Sequence, residues 1–373
     1  MNFLLVGTNA ENTGAATHFV ALAEALAGAG HAVTVIAAPG SLIAAELGGS
    51  GVDLRLGKFR NVLDPRGYAT VVRAAGQTQP DWLIGNFGKE YWPLIALGRA
   101  LRIPVALFRH RTPPMRMLSA WMLPRLAQRF FAVSQYARQG YLDRGIPPER
   151  VQILHNPVNV DRCHPDARQR SALRQRLGLD EEAIVVGYAG RLQRGKGIFT
   201  LLIATSEAMA REPRLHCLWL GDGPDGAALR ELAQRDPNAS HHHFPGWVQD
   251  STPWYNAMSM LAFPSLAPET FGRVSVEAQA AGIPVLGSDI GGIPETMQAG
   301  VSGLLLPPGD SAAWRDAILG LCDPAVRVPM GLAGRQFVEE HFSGTSIAAE
   351  LIRSLHAVRP VRTKRRRPGG AFS

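Results

Sequence analysis

Short apolar runs alternate with longer segments of helical periodicity along most of the chain. Residues 2–6 are apolar and stop at Gly7, the pattern of a buried strand. Residues 17–29 carry Phe19, Val20, Leu22, Ala23, Leu26 and Ala27 at helical spacing. Gly30 gives that helix a C-terminal stop, and 32–37 read as the next strand. Further strands are expected at 82–84, 105–108, 130–133 and 152–154. A polar helical connector at 168–177 precedes a second set. That set has strands at 184–188, 216–220, 259–263 and 285–288, and helices at 199–211 and 274–281. The uncharged run 251–268 holds three prolines and reads as a turn-rich core segment. Strand–helix–strand alternation implies parallel sheets with crossover helices. The expectation is an α/β protein of two doubly wound, Rossmann-like domains, 1–165 and 166–343. A helical pattern within 344–358 follows, and 359–373 is expected to form a basic, disordered tail.

The length of 373 residues suits two such domains. With 46 % hydrophobic and 19 % charged residues, the chain is not largely disordered. Its net charge of +8 is unevenly placed. Residues 1–160 hold 16 Lys and Arg against 9 Asp and Glu, while 161–358 hold 17 against 22. Residues 359–373 hold six bases and no acid, and between Glu90 and Asp143 there are eight Arg and no acid. That placement points to an acidic substrate or membrane surface on the first domain. It does not point to nucleic acid, for which the chain lacks aromatic–basic interleaving. Cys163, Cys217 and Cys322 lack paired spacing and suit a reducing compartment. There is no basic leader and no stretch of about 18 apolar residues. The expected location is therefore the cytoplasm.

In open α/β sheets, ligands sit beyond the carboxyl ends of the strands, so the strand-to-helix loops carry the chemistry. The densest loop is Glu269-Thr270-Phe271-Gly272-Arg273-Val274-Ser275-Val276-Glu277, with two carboxylates eight positions apart. A carboxylate accepts two hydroxyl hydrogen bonds at once, which suits ribose or sugar diols. Glu277 alone also fits a residue that favours a helix N-terminal dipole. Gly190-Arg191-Leu192-Gln193-Arg194-Gly195-Lys196-Gly197 is a glycine-rich turn with three cations ahead of a helix. Arg offers a planar fork and Lys a point charge, a good diphosphate clamp, although a solvated basic turn has the same composition. The loop from Gly7 to Ala16 leads into a helix N-terminus, which attracts phosphate. It lacks Gly-x-Gly-x-x-Gly, so it is not a dinucleotide loop of that kind. Three adjacent histidines, His241, His242 and His243, cannot all point one way from a strand. They read as a loop rather than a metal site.

Gly282-Ile283-Pro284-Val285 follows Glu277, then Gly291-Gly292-Ile293-Pro294-Glu295, then Gly303-Leu304-Leu305. In this order and spacing, most of 184–310 resembles the retaining glycosyltransferases of family 4, of GT-B fold. The resemblance implies two Rossmann-like domains facing across a cleft, with the helix within 344–358 crossing back to the first. It implies that Arg191 and Lys196 hold the donor diphosphate, Glu277 the ribose and Glu269 the donor-sugar hydroxyls. It further implies backbone help at the phosphates from Phe271 and Gly272, and a base-facing segment at Trp247 and Val248. Gly14 would bring the first helix to the donor, although the family usually shows Gly-Gly where this chain has Gly14-Ala15. His110, between Arg109 and Arg111, falls where the family often places a histidine on the donor sugar. His31 in Gly30-His31-Ala32-Val33, Ser134, and the turn Gly221-Asp222-Gly223-Pro224 correspond to structural positions. Asn156-Pro157-Val158-Asn159-Val160-Asp161 resembles the interdomain linker, with Val158 in place of Gly.

The resulting expectation is a retaining hexosyl transfer in bacterial-type glycolipid, lipopolysaccharide or polysaccharide synthesis. Its catalytic set is Glu269, His110, Arg191 and Lys196. The donor is a UDP- or GDP-sugar, with no metal or other cofactor, and the acceptor is an anionic or lipid-linked glycan. Arg109, Arg111 and Arg116 fall on the acceptor or membrane side, and the protein is expected to be monomeric, without nucleic acid. The segment 111–129 mixes Arg with Met, Trp and Leu, which suits peripheral contact with an anionic membrane. A packed helix with a solvated Arg face, interrupted by Pro124, remains the alternative there. Two other functions compete. An epimerase of the same fold needs further acid–base carboxylates, which are not seen. A non-catalytic nucleotide-sugar binder is opposed by the intact Arg191, Lys196, Glu269 and Glu277 set.

Overall fold

The computed structural model describes residues 1–11, 13–110 and 115–357. Arg111 and the expected tail at 359–373 lie outside the described residues. Thirteen strands form two parallel sheets among them. The first contains β1 (Asn2–Gly7), β2 (Ala32–Ala37), β3 (Asp53–Leu56), β4 (Trp82–Gly85), β5 (Val105–Arg109), β6 (Arg129–Ala132) and β7 (Gln152–Ile153). Its order is β3-β2-β1-β4-β5-β6-β7. The second contains β8 (Ile184–Ala189), β9 (Leu215–Leu220), β10 (His242–Gly246), β11 (Met260–Phe263), β12 (Val285–Ser288) and β13 (Gly303–Leu306). Its order is β10-β9-β8-β11-β12-β13. The inner strands are apolar throughout because helices cover both faces of each sheet. The order reverses between β1 and β4 and between β8 and β11, and loops at such switch points form ligand crevices.

On one face of the first sheet, the helices Gly14–Gly28 and Leu42–Leu47 share a core with Gly344–His356. The last helix buries Ile347, Ala348, Leu351 and Leu355 there. Arg129 of β6 donates to the Ser354 carbonyl at 2.8 Å, tying this last helix to the first sheet. The other face carries Pro65–Thr78, Gly88–Leu101, Met117–Leu126 and Gln135–Leu142. Its core extends across the domain boundary to Phe271, Val276, Ala280 and Phe342. No single helix among the described residues is long and apolar enough to cross a membrane.

The histidine run is not a loop. His242 and His243 open the edge strand β10, and His242 pairs with Cys217 of β9. His241 and His243, two apart, flank His216 with ring centroids at 4.2 and 5.3 Å, while His242 turns to Trp219. The alternation argument therefore holds, but it acts within a strand. Among the described residues, no group of His, Cys, Asp or Glu is arranged to hold a metal ion.

The loop after β1 is pinned by the first turn of Gly88–Leu101. Glu90 is fully buried, and its Oε1 accepts from both the Thr8 N–H and the Thr8 hydroxyl, the latter at 2.7 Å. Thr8 Oγ1 in turn accepts from the Phe59 N–H at 3.3 Å. Glu90 Oε2 has no partner among the described residues. Burial pushes this carboxyl up from 4.5 to about 7. A carboxyl raised in the folded chain adds stability that is full below its ordinary pKa and lost as pH rises through the folded value. Thermal unfolding of the wild type should thus lose stability between pH 5 and pH 8 relative to Glu90→Gln, by on the order of 3 kcal/mol. Parallel pH dependence of the two melting curves would remove the buried acid from the account.

Candidate active site

The turn after β8 is built on the turn after β9. Leu192 N–H donates to the Asp222 carbonyl and Asp225 N–H to the Leu192 carbonyl, each at 3.0 Å. Arg194 N–H donates to Asp225 Oδ2 at 2.7 Å. At the end of this turn Gly197 has φ +71, and a Cβ there would lie 1.8 Å from the Pro264 carbonyl oxygen. Only glycine fits this approach. Leu266 N–H completes it by donating to the Gly195 carbonyl at 3.0 Å. The consequence is chemical. Lys196 Nζ donates to Glu269 Oε1 as an ion pair, and Ser265 Oγ donates to the same oxygen at 2.7 Å. Arg191 is exposed on the same turn, and its carbonyl accepts from the Tyr188 hydroxyl at 2.7 Å.

The backbone beneath Glu269 is held by the glycine pair. A Cβ at Gly291 would lie 2.6 Å from the Glu269 carbonyl oxygen, and one at Gly292 would lie 2.5 Å from that of Thr270. Gly292 N–H donates to the Glu269 carbonyl at 2.8 Å. From the first domain, Ser134 Oγ donates to the Thr270 carbonyl at 2.5 Å. Phe271 buries its ring in the core that spans the domains, 5.6 Å from both His155 and Phe342. The amides of Phe271 and Gly272 sit where the helix Arg273–Ala280 begins.

Glu277 is 7 % exposed on that helix. Arg273, one turn earlier, donates Nε to Glu277 Oε1 at 3.1 Å, and the buried Tyr255 hydroxyl donates to Oε2 at 2.8 Å. Arg273 Nη2 donates to Oε1 as well, so Oε1 already holds two donors and Oε2 is the oxygen that retains capacity for a second. Arg273 was not singled out by sequence reasoning, although its i,i+4 spacing from Glu277 was the available signal.

His110 follows β5 and faces Arg273. Its Nε2 lies 2.7 Å from Asn86 Oδ1, while Asn86 Nδ2 donates to the Ala15 carbonyl at 2.9 Å. The amide oxygen is therefore the acceptor, and Nε2 carries the proton. Burial lowers the His110 pKa to about 3, helped by the positive charges of Arg109 and Arg273. The ring is neutral at physiological pH. His18, also unanticipated, is fully buried with its ring 4.3 Å from His110. Burial and then His110 and Arg273 push its pKa well down as well.

The remaining expected residues are placed as follows. Gly14 is the first residue of Gly14–Gly28, and a Cβ there would lie 3.7 Å from Arg273 Cδ, so this helix N-terminus abuts the second domain. Arg109 is half-buried, and its positive charge acts on the buried hydroxyls of Tyr91 and Tyr141 within the first domain. Arg116 is exposed at the start of Met117–Leu126. Val248 packs partly into the second core, whereas Trp247 is 68 % exposed. Lys196, Glu269, Arg273 and Glu277 thus line one wall, and Gly14, His18 and His110 approach it from the other.

Two family models divide most of the sequence. Glycosyltransferase Family 4 matches residues 12–162, and Glycosyl transferases group 1 matches residues 183–323. The D-inositol 3-phosphate glycosyltransferase of Streptomyces scabiei is 31 % identical over 290 residues, covering 72 % of this chain and 65 % of that protein. D-inositol 3-phosphate glycosyltransferase 2 of Catenulispora acidiphila is 33 % identical over 269 residues, covering 66 % and 62 %. The match spans less than two thirds of either relative. The crystal structure of Anabaena HepE with UDP and glucose has a TM-score of 0.80 at 22 % identity, covering 96 % of this chain and 100 % of that one. A glycosyltransferase from Rickettsia africae scores 0.81 at 17 % identity, covering 94 % and 97 %. These two likenesses concern the fold, which is GT-B. The matched models, each lying on one of the two sheets that form the cleft, make this chain a member of glycosyltransferase family 4.

Proposed function

We propose that this chain transfers a hexosyl group from a UDP- or GDP-sugar to an acceptor hydroxyl with retention of anomeric configuration. The pathway it fits is bacterial-type glycolipid, lipopolysaccharide or polysaccharide synthesis. The observation that carries the reading is the Lys196–Glu269 pair, which joins the cation-bearing turn after β8 to the loop after β11, on the wall whose Arg273 abuts the helix N-terminus at Gly14. In this scheme Arg191 and Lys196 meet the negative charge on the departing diphosphate, the kind of electrostatic help that dominates many enzymes. The amides of Phe271 and Gly272 add donors at a helix start. Glu277 uses its remaining acceptor capacity on ribose, and Glu269 on hydroxyls of the sugar. His110, neutral, positions the sugar by hydrogen bonding and transfers no proton. The scheme calls on no metal, because side-chain cations supply the countercharge. HepE, with UDP and glucose bound, shares this fold, and the inositol-phosphate glycosyltransferases named above support the same class of reaction.

A thermal-shift panel of UDP-, GDP- and ADP-sugars should show stabilisation by one nucleotide class. Glu277→Ala should weaken binding of that nucleotide by roughly tenfold, about 1.4 kcal/mol. Lys196→Ala should slow transfer by on the order of a hundredfold. The pH profile of kcat/KM should show no limb from His110 between pH 5.5 and pH 8, since its pKa is held near 3. Failure of every nucleotide sugar to bind, with no nucleoside diphosphate released in the presence of acceptors, would overturn the reading.

The acceptor side adds an anionic or lipid-linked acceptor and peripheral membrane contact to the proposal. On Met117–Leu126 the buried residues are Ala120, Leu123 and Pro124. Met117, Leu118 and Trp121 are 79 %, 67 % and 51 % exposed. Pro124 lies in the last turn, so the helix is intact, and its outer face is apolar rather than a solvated Arg face. Arg125 stacks 4.2 Å from the Trp121 ring, and Arg116 stands at the helix start. An apolar face with basic flanks suits an anionic bilayer surface. Co-sedimentation with acidic liposomes should be strong at low salt and reduced at moderate salt. Replacing Leu118 and Trp121 together by Ser should cut it at least tenfold. Absence of binding at either salt would remove the membrane part.

A further inference from the structure

We propose that Glu295 is a positioning residue that docks the second domain onto the first and so holds Glu269 in register with the opposite wall. The proposal deepens the nucleotide-sugar reading and rests on it for what the register is used for. Glu295 ends the Gly291-Gly292-Ile293-Pro294-Glu295 segment, to which the proposed chemistry assigns nothing. Its carboxylate reaches across the domain boundary to the start of the helix Gln135–Leu142. Oε2 accepts from the Gln135 N–H at 2.6 Å and Oε1 from the Tyr136 N–H at 2.9 Å. The first amides of a helix have no partner within it, and the helix dipole there favours negative charge. His155 Nε2 adds a contact at 3.4 Å. Burial alone would raise this carboxyl, but His155 and the two N–H groups outweigh it and hold it below the ordinary carboxylate range.

The same helix start touches the site a second time. Ser134 Oγ accepts from the Ala137 N–H at 2.9 Å, capping the helix, and donates to the Thr270 carbonyl. Gly291 and Gly292, four and three residues before Glu295, press on the Glu269 and Thr270 carbonyls. One helix terminus of the first domain therefore grips the Glu269–Thr270 backbone directly through Ser134 and indirectly through Glu295. The hydrogen-bond partners of the Glu295 side chain all lie within 1–165. Its removal should loosen the join between domains without unmaking either domain.

The test uses the full chain with Glu295→Ala and, independently, Gln135→Pro. Proline is well tolerated at the first helical position, and here it deletes one N–H that Glu295 accepts while leaving the second domain untouched. Both variants should bind the nucleotide identified by the sugar panel within twofold of wild type. Both should lose at least tenfold in kcat and give small-angle scattering of a more extended particle. Wild-type kcat and scattering in either variant would overturn the proposal. Loss of nucleotide binding in Glu295→Ala alongside a normal Gln135→Pro would overturn it too, by showing a purely local role. A wild type that binds no nucleotide sugar would defeat the functional reading instead, while the scattering comparison would still decide the docking role.

Discussion

The backbone of residues 269–271 is the constraint on which the rest of the cleft depends. Gly291 and Gly292 approach it so closely that neither position has room for a Cβ. Ser134 reaches it from the other domain, and the Phe271 ring is buried in the core that the domains share. Close-packed surroundings of this kind leave little freedom to shift. The direction of the Glu269 carboxylate is therefore set before any ligand arrives. So is its meeting with Lys196, because Gly197 brings that turn against Pro264. Pre-set geometry matters in group transfer, where a misplacement of about 1 Å costs on the order of a hundredfold in rate.

Both carboxylates of the cleft are already paired with cations, Glu269 with Lys196 and Glu277 with Arg273. The two pairs differ in kind. Arg273 and Glu277 are one helical turn apart, and Tyr255 engages the second oxygen of Glu277, so this unit is a fixed part of the wall. Lys196 and Glu269 join two separate loops and keep 36 % and 21 % of their side chains exposed. A half-exposed pair is weak and easily exchanged. On the proposed reaction, an incoming diphosphate competes for Lys196, and the released Glu269 oxygen becomes available to sugar hydroxyls. The neutral state of His110 belongs to the same arrangement. A third positive charge beside Arg109 and Arg273 would be repelled, which is part of why its proton is lost so readily.

Much of the fold was legible because buried parallel strands are continuous apolar runs. The expected strands lie within about a residue of β1, β2, β4, β5, β6, β7, β8, β9, β11 and β12. Strand β3 reads Asp-Leu-Arg-Leu at a sheet edge, and β10 reads His-His-Phe-Pro-Gly, so neither carries an apolar run. Proline is tolerated on such an edge. The helices Gly88–Leu101 and Pro324–His341 contain Pro93 and Pro329, which tertiary packing overrides. At the site, residue types and spacings were legible but their partners were not. Glu269 meets Lys196 across 73 positions, and Glu295 meets Gln135 across 160. Nothing in local pattern encodes such pairs. For Arg109, neighbouring residues at a strand end point to opposite sides. It was expected on the acceptor side beside His110, whereas the structure sets its charge against Tyr91 and Tyr141 within the first domain.

Net charge and site charge turn out to be separate quantities. The half of the chain with excess acid carries Arg191, Lys196 and Arg273, the cations that line the proposed donor site. Exposed charges more than about 8 Å away are largely screened at physiological ionic strength. A diphosphate in the cleft would feel the few groups fixed around it and little of the acidic surface beyond. The basic excess of the first half acts over a broader area, and there it stands beside an apolar face on Met117–Leu126. Diffuse charge with exposed apolar area suits an extended anionic surface. A short clamp with fixed geometry suits one small anion. The two domains thus divide the recognition of negative charge by geometry, and the sign of the total says little about either.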